Sequence, residues 1–90
     1  MIAFEITIQG RVQGVFFRKY TCNKAIELKL TGFVKNQLDG SVFVFAEGYK
    51  ENMNEFIQWC KIGSPLSKVE KIITKEVTLR NEKNFKIVSN

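Results

Sequence analysis

Arg18 closes the stretch GRVQGVFFR, residues 10–18, in which Gly10 and Gly14 interrupt an otherwise bulky run. A guanidinium is a planar fork of donors that matches the oxygens of a phosphate or carboxylate. Two glycines ahead of it let the backbone curl so that successive amides converge on one point, a nest for a tetrahedral anion. Where such a stretch joins a strand to a helix, the helix start adds N–H groups without intrahelical partners and the positive end of the dipole. The residue types therefore describe a phosphate cradle with a guanidinium wall. A plain glycine-rich turn before a solvated arginine fits the same residues. Related motifs do not: three residues rather than four separate Gly10 from Gly14, no Lys-Ser/Thr pair follows, G-x-G-x-x-G is absent, and Cys22 comes after Arg18, not before it as in a cysteine-phosphatase loop.

What the chain lacks narrows the chemistry. It has no histidine, Asp39 is its sole aspartate, and its glutamates stand singly. A histidine base and a histidine metal ligand are excluded, and a two-metal site or a carboxylate dyad has little to be built from. Neither a metal nor a cofactor is expected. The net charge of +5 favours anionic partners, but scattered lysines that only solubilise the chain account for it as well. Lysine supplies eleven of the fourteen cations, leaving Arg11, Arg18 and Arg80 as the places where the planar fork was chosen. The apolar fraction of 44% against 26% charged is that of a folded globular chain rather than a disordered one.

Ninety residues suit one domain, 1–90. Residues 1–9 lack the basic start and apolar stretch of a signal peptide, and no run is long enough to span a membrane. With Cys22 and Cys60 as its only cysteines, both in helix-like patterns, the expectation is a cytoplasmic monomer with free thiols and no membrane association.

Periodicity supplies the elements that must position the stretch. IAFEITIQ alternates Ile2, Phe4, Ile6 and Ile8 against Ala3, Glu5, Thr7 and Gln9, as a strand with one buried face does. RKYTCNKAIELKL reads as a helix whose apolar side carries Cys22, Ala25 and Ile26, ended by Gly32. FVKNQ and SVFVFAE read as two strands joined through Leu38-Asp39-Gly40, Asp-Gly being a strong hairpin signal. Met53, Phe56, Ile57 and Cys60 mark a helix over 50–62, stopped by Gly63-Ser64-Pro65. KVEKIITKEVTL is a long strand, and residues 81–83 turn into a short last one, NFKIV. The order β-α-β-β-α-β plus an added edge strand predicts an α+β, ferredoxin-like split β-α-β sandwich: an antiparallel sheet of four strands, an edge strand, and two helices on one face. The anion stretch falls at the junction of the first strand and first helix.

These motifs, together with FIQWCKIGSPLSKVEKI and the closing FKIV, resemble those of the acylphosphatase family over nearly the whole chain. GRVQGVFFR paired with GFVKNQLDG carries most of the resemblance. It implies metal-independent hydrolysis of the carboxyl–phosphate bond of acyl phosphates, with inorganic phosphate as product and inhibitor. It also implies a phosphate loop formed by Gly10, Arg11, Val12, Gln13, Gly14, Val15 and Phe16, amides being offered by the last four. Arg18 would be the catalytic arginine and Asn36 the catalytic asparagine, orienting the attacking water, while the substrate's own phosphate oxygen takes the proton. Phe33 stands where many members carry tryptophan, and Gly48-Tyr49 lacks a frequent proline. The Arg11 side chain and Lys35 flank the site as solvated or steering charges.

The rival reading is an RNA-recognition-like module, which shares the element order. With Val42, Val44 and Ala46 inward, Phe43 and Phe45 would lie on the open sheet face, where bases could stack. Asp39-Gly40-Ser41 replaces the basic-glycine-aromatic signature of that module, and no ring faces outward from the first strand. No nucleic-acid partner is therefore expected.

Overall fold

The computed structural model describes residues 1–89. Its elements are β1 (Ile2–Arg11), α1 (Phe17–Glu27), β2 (Thr31–Asn36), β3 (Val42–Gly48), α2 (Lys50–Ile62), β4 (Lys68–Val77) and β5 (Phe85–Val88). The strands form one sheet in the order β4-β1-β3-β2-β5. The predicted ferredoxin-like α+β sandwich is the fold observed, with both helices packed on one face. The first four strands pair antiparallel, whereas the added strand β5 runs parallel to β2, so the sheet is mixed.

Alternation along β1 and β3 sends Ile6, Ile8, Val42, Val44 and Ala46 to the helix side, where they meet Phe17 and Ala25 of α1 and Met53, Phe56 and Cys60 of α2. The rings of Phe56 and Trp59 stack, and Phe85 of β5 meets Phe56 edge-on. Both cysteines are free: Cys60 is fully buried and Cys22 half-buried. Burial pushes both thiols above their ordinary pKa, so they sit protonated in the core.

Two local expectations need correction. α1 ends at Glu27 rather than running to Gly32. Its last turn closes through Lys29 N–H to Ile26 C=O and Leu30 N–H to Ala25 C=O, with Lys29 in the left-handed region. That is a Schellman closure in which lysine takes the position glycine usually holds. Gly32 lies inside β2 instead, where an added Cβ would fall 1.8 Å from the Phe45 carbonyl oxygen. The buried side of α1 also differs, being Phe17, Thr21 and Ala25, while Ile26 points to solvent.

The second correction concerns the sheet's other face. β4 and β5 occupy opposite edges, so residues 81–83, read as the turn into the last strand, belong to a longer connection through residues 78–84 that crosses that face. Glu47 fastens it, its carboxylate accepting the amides of Arg80, Asn81 (2.8 Å) and Glu82 (2.6 Å). The Arg80 guanidinium lies 4.4 Å from the centre of the Phe45 ring. Phe45 therefore faces away from the helices, as expected, yet is fully buried, and only Phe43 keeps partial exposure. Of the two rings on which the rival reading would stack bases, Phe45 is thus roofed by the protein's own chain.

Candidate active site

β1 carries a bulge between Gln9 and Gly10 before it leaves the sheet. Gly10 has φ +132°, and a Cβ there would sit 2.1 Å from the Lys68 carbonyl oxygen, so only glycine fits the bulge. The chain then turns through residues 12–16, with left-handed backbone at Gly14 (φ 74°) and Phe16 (φ 58°, ψ 22°). Left-handed residues alternating with negative-φ neighbours gather successive amides into an anion-receiving concavity. Among the described residues, no amide of 12–16 donates to a protein acceptor. For phenylalanine the left-handed region costs on the order of 1 kcal/mol or more. The ring gains little burial in return, being 70% exposed. Strain without a packing reward marks a backbone shaped for a ligand.

Hydrogen bonds on two sides hold this loop in place. Gln13 Nε2 donates to the carbonyls of Gln37 (2.8 Å) and Ser41 (2.9 Å), bolting the loop to the hairpin that follows β2. Within that hairpin Gln37 N–H donates to Ser41 C=O, and Asp39 Oδ1 accepts the Ser41 amide and hydroxyl. Hydrogen bonds from the Ser41 hydroxyl and amide hold the Asp39 carboxyl below the usual range. From the other side the Ser64 hydroxyl, in the turn after α2, donates to Val15 C=O at 3.3 Å.

The start of α1 is electrostatically unbalanced. Its N-cap residue, Phe16, offers no side-chain hydrogen bond, and its first turn holds no acidic residue. That turn carries Arg18 and Lys19 instead, two cations at the positive end of the helix dipole. Capping acids or a bound anion normally satisfy such an end. Beside it opens a pocket of about 280 Å³ lined by Val12, Gly14, Phe16, Phe17, Arg18, Lys19, Asn36 and Ile87. Arg18 Nη1 donates to Val88 C=O at 3.2 Å. One donor of the fork thus anchors the side chain and leaves the others for a ligand. Across the pocket, Asn36 is the last residue of β2, its Oδ1 shielded from solvent.

The structure therefore brings together Arg18, Asn36, Val12, Gly14 and Phe16 as pocket walls. Gln13 and Val15 belong to the same loop, but the Gln13 side chain points to the hairpin and Val15 packs on the core. Gly10 shapes the bulge and lies outside the pocket wall. The Arg11 side chain turns outward, donating to Leu66 C=O at 3.3 Å, and Lys35 sits over the Phe43 ring. Sequence reasoning missed the clamps Gln13 and Ser64 and the wall residues Lys19 and Ile87. Only Lys19, one position beyond Arg18 in the same helical turn, had a local signal. No three His, Cys, Asp or Glu side chains cluster among the described residues.

A ferredoxin-like domain with a glycine-bent loop at the β1–α1 junction, beside a pocket lined by an arginine and an asparagine, is the class of molecule these features define. The acylphosphatase family profile matches residues 4–87. The chain is 39% identical over 87 residues to an acylphosphatase of Archaeoglobus fulgidus, covering 97% of this chain and 98% of that one. It superposes on the crystal structure of the Bacillus subtilis acylphosphatase with a TM-score of 0.96 at 42% identity, covering 98% and 99% of the two chains. For a Coxiella burnetii acylphosphatase structure the TM-score is 0.94 at 33% identity, covering 97% and 92%. The chain belongs to the acylphosphatase family, and its activity is that of an acylphosphatase.

Proposed function

We propose that the protein hydrolyses acyl phosphates to a carboxylate and inorganic phosphate without a metal or cofactor, Arg18 and Asn36 being its catalytic residues. The phosphoryl group sits in the loop, its oxygens held by the amides of Gln13, Gly14, Val15 and Phe16 and by the free donors of Arg18. An acyl phosphate is already activated, so placement and charge neutralisation carry most of the catalysis. Asn36 holds water in line with the leaving carboxylate. The water oxygen bonds to phosphorus, the bond from phosphorus to the acyl oxygen breaks with its electron pair leaving on the carboxylate, and a phosphate oxygen accepts the water's proton. Asparagine needs no basicity for this role, which suits a chain without histidine.

The observation that carries the reading is the uncapped, doubly cationic start of α1 facing Asn36 across one small pocket. We read the protein as a single-domain monomer. No described helix is long and apolar enough to cross a membrane, and we place the enzyme in the cytoplasm. The test is hydrolysis of benzoyl phosphate by the purified protein with chelator present, inhibited competitively by inorganic phosphate. Absence of hydrolysis, or activity abolished by the chelator, refutes the proposal.

A further inference from the structure

The pocket opens in two directions. Toward the β2–β3 hairpin it shares Asn36 with a shallow depression walled by Lys35, Gln37, Leu38 and Asp39. Toward α1 it shares Phe16 and Lys19 with a second hollow of about 340 Å³, completed by Tyr20 and Asn23. In-line displacement assigns the two sides, because attacking and leaving oxygens lie on opposite sides of phosphorus. With water held at Asn36, the acyl group must leave away from that residue. The α1 hollow adjoins the phosphate pocket and contains no part of Asn36.

We propose that the hollow of Phe16, Lys19, Tyr20 and Asn23 receives the acyl group, and that Lys19 makes the enzyme favour acyl groups bearing a second anionic substituent. The inference rests on the roles given above to Arg18 and Asn36. The chemistry of the walls matches such a group. Phe16 and Tyr20 are 70% and 44% exposed, offering ring faces to a carbon skeleton that leaves the phosphate pocket. Lys19 is exposed and takes part in no ion pair among the described residues. No carboxylate lines the hollow, whereas Asp39 lines the depression on the Asn36 side. The dipole of α1 adds positive potential where Lys19 stands, in the helix's first turn. An anionic tail thus meets a lysine with no carboxylate beside it in the α1 hollow, whereas in the other depression the Asp39 carboxylate opposes the charge of Lys35.

The experiment compares kcat/KM for 4-methylbenzoyl phosphate and 4-carboxybenzoyl phosphate, similar in size and differing in charge, in wild type, Lys19→Gln and Lys19→Glu. The ratio of the charged to the uncharged substrate is expected to fall roughly three- to fivefold in Lys19→Gln, as for an exposed charge pair. It should fall further in Lys19→Glu. The change should appear mainly in KM, since the second charge is remote from the reacting bond and equally present before and during reaction. Raising ionic strength should narrow the wild-type ratio and leave that of Lys19→Gln in place. A ratio equal in all three proteins overturns the inference, as does a loss shared equally by both substrates, which would put Lys19 on the phosphate instead. Wild-type protein that hydrolyses neither substrate refutes the underlying catalytic reading, a different result from either of these.

Discussion

Gln13 ties the anion loop to the strand that ends in Asn36, and the consequence of cutting that tie can be worked out. Methionine at this position keeps the length of the side chain and removes the amide that reaches Gln37 C=O at 2.8 Å and Ser41 C=O at 2.9 Å. Neither carbonyl is left bare, because Gly40 N–H still donates to the first and Gln37 N–H to the second. The cost is therefore the net value of two hydrogen bonds, about 1–2 kcal/mol, rather than that of stranded acceptors. In a domain of this size that lowers Tm by roughly 5–15 °C. Activity should suffer separately, since loop and Asn36 lose their common register. A misplacement on the order of 1 Å can cost about a hundredfold in rate. The hairpin's own bonds persist, so we expect kcat for benzoyl phosphate to fall on the order of tenfold to a hundredfold, well below the melting transition. A Gln13→Met variant with the expected loss of Tm but kcat within twofold of wild type shows that the tie holds only the fold. One that loses neither shows that these hydrogen bonds are not maintained in solution.

Arg18→Lys should lower turnover roughly a hundred- to thousandfold, because a point charge cannot replace the bidentate fork. It removes a single protein hydrogen bond, to Val88 C=O, so its melting temperature without phosphate should stay close to wild type while the stabilisation by added phosphate disappears. Asn36→Ala should reduce turnover by a similar factor while the inhibition constant of phosphate changes less than about tenfold, and near-normal turnover rules out the role given to it. Burial raises the pKa of Glu47, but the amides of Glu82, Arg80 and Asn81 and the Thr31 hydroxyl outweigh it and hold the native value below the ordinary 4.5. Between those two values the unfolded chain binds more protons than the native one, so this stabilisation is present above about pH 4.5 and is lost as pH falls through the lower native pKa. Urea titrations of wild type and Glu47→Gln should show the acid-limb slope reduced in the variant, and identical slopes would refute the assignment.

What was legible in the sequence was what short range decides. The helix over residues 50–62 was bounded correctly because its apolar spacing and Gly63 both lie within the segment. The bent backbone between β1 and α1 was legible because Gly10 and Gly14 are close in the chain and glycine states its backbone requirement openly. α1 was overrun because its stop is written in lysine: Lys29 takes a left-handed conformation that the Schellman bonds enforce and that its residue type does not announce. Gly32 attracted the boundary, yet its reason is the Phe45 carbonyl on a neighbouring strand, which no local window contains.

The same distinction separates the two kinds of residue in the site. Groups proposed to touch the substrate are announced by type, as a fork of donors or an amide in a motif. Groups that aim them are not, because glutamine and serine become clamps only through partners distant in sequence, Gln13 at residues 37 and 41 and Ser64 at Val15. Glu47 behaves likewise: in β3 it reads as an outward acidic residue, and only the crossing of residues 78–84 turns it into the buried acceptor of three amides. That crossing seals Phe45, while at the entry to α1 backbone strain, amides without a partner among the described residues, and two cations coincide. A fold free to optimise stability would put an acidic cap there, worth about 1 kcal/mol. Its absence is intelligible if the anion that completes the helix is the phosphoryl group, bound and released in every turnover.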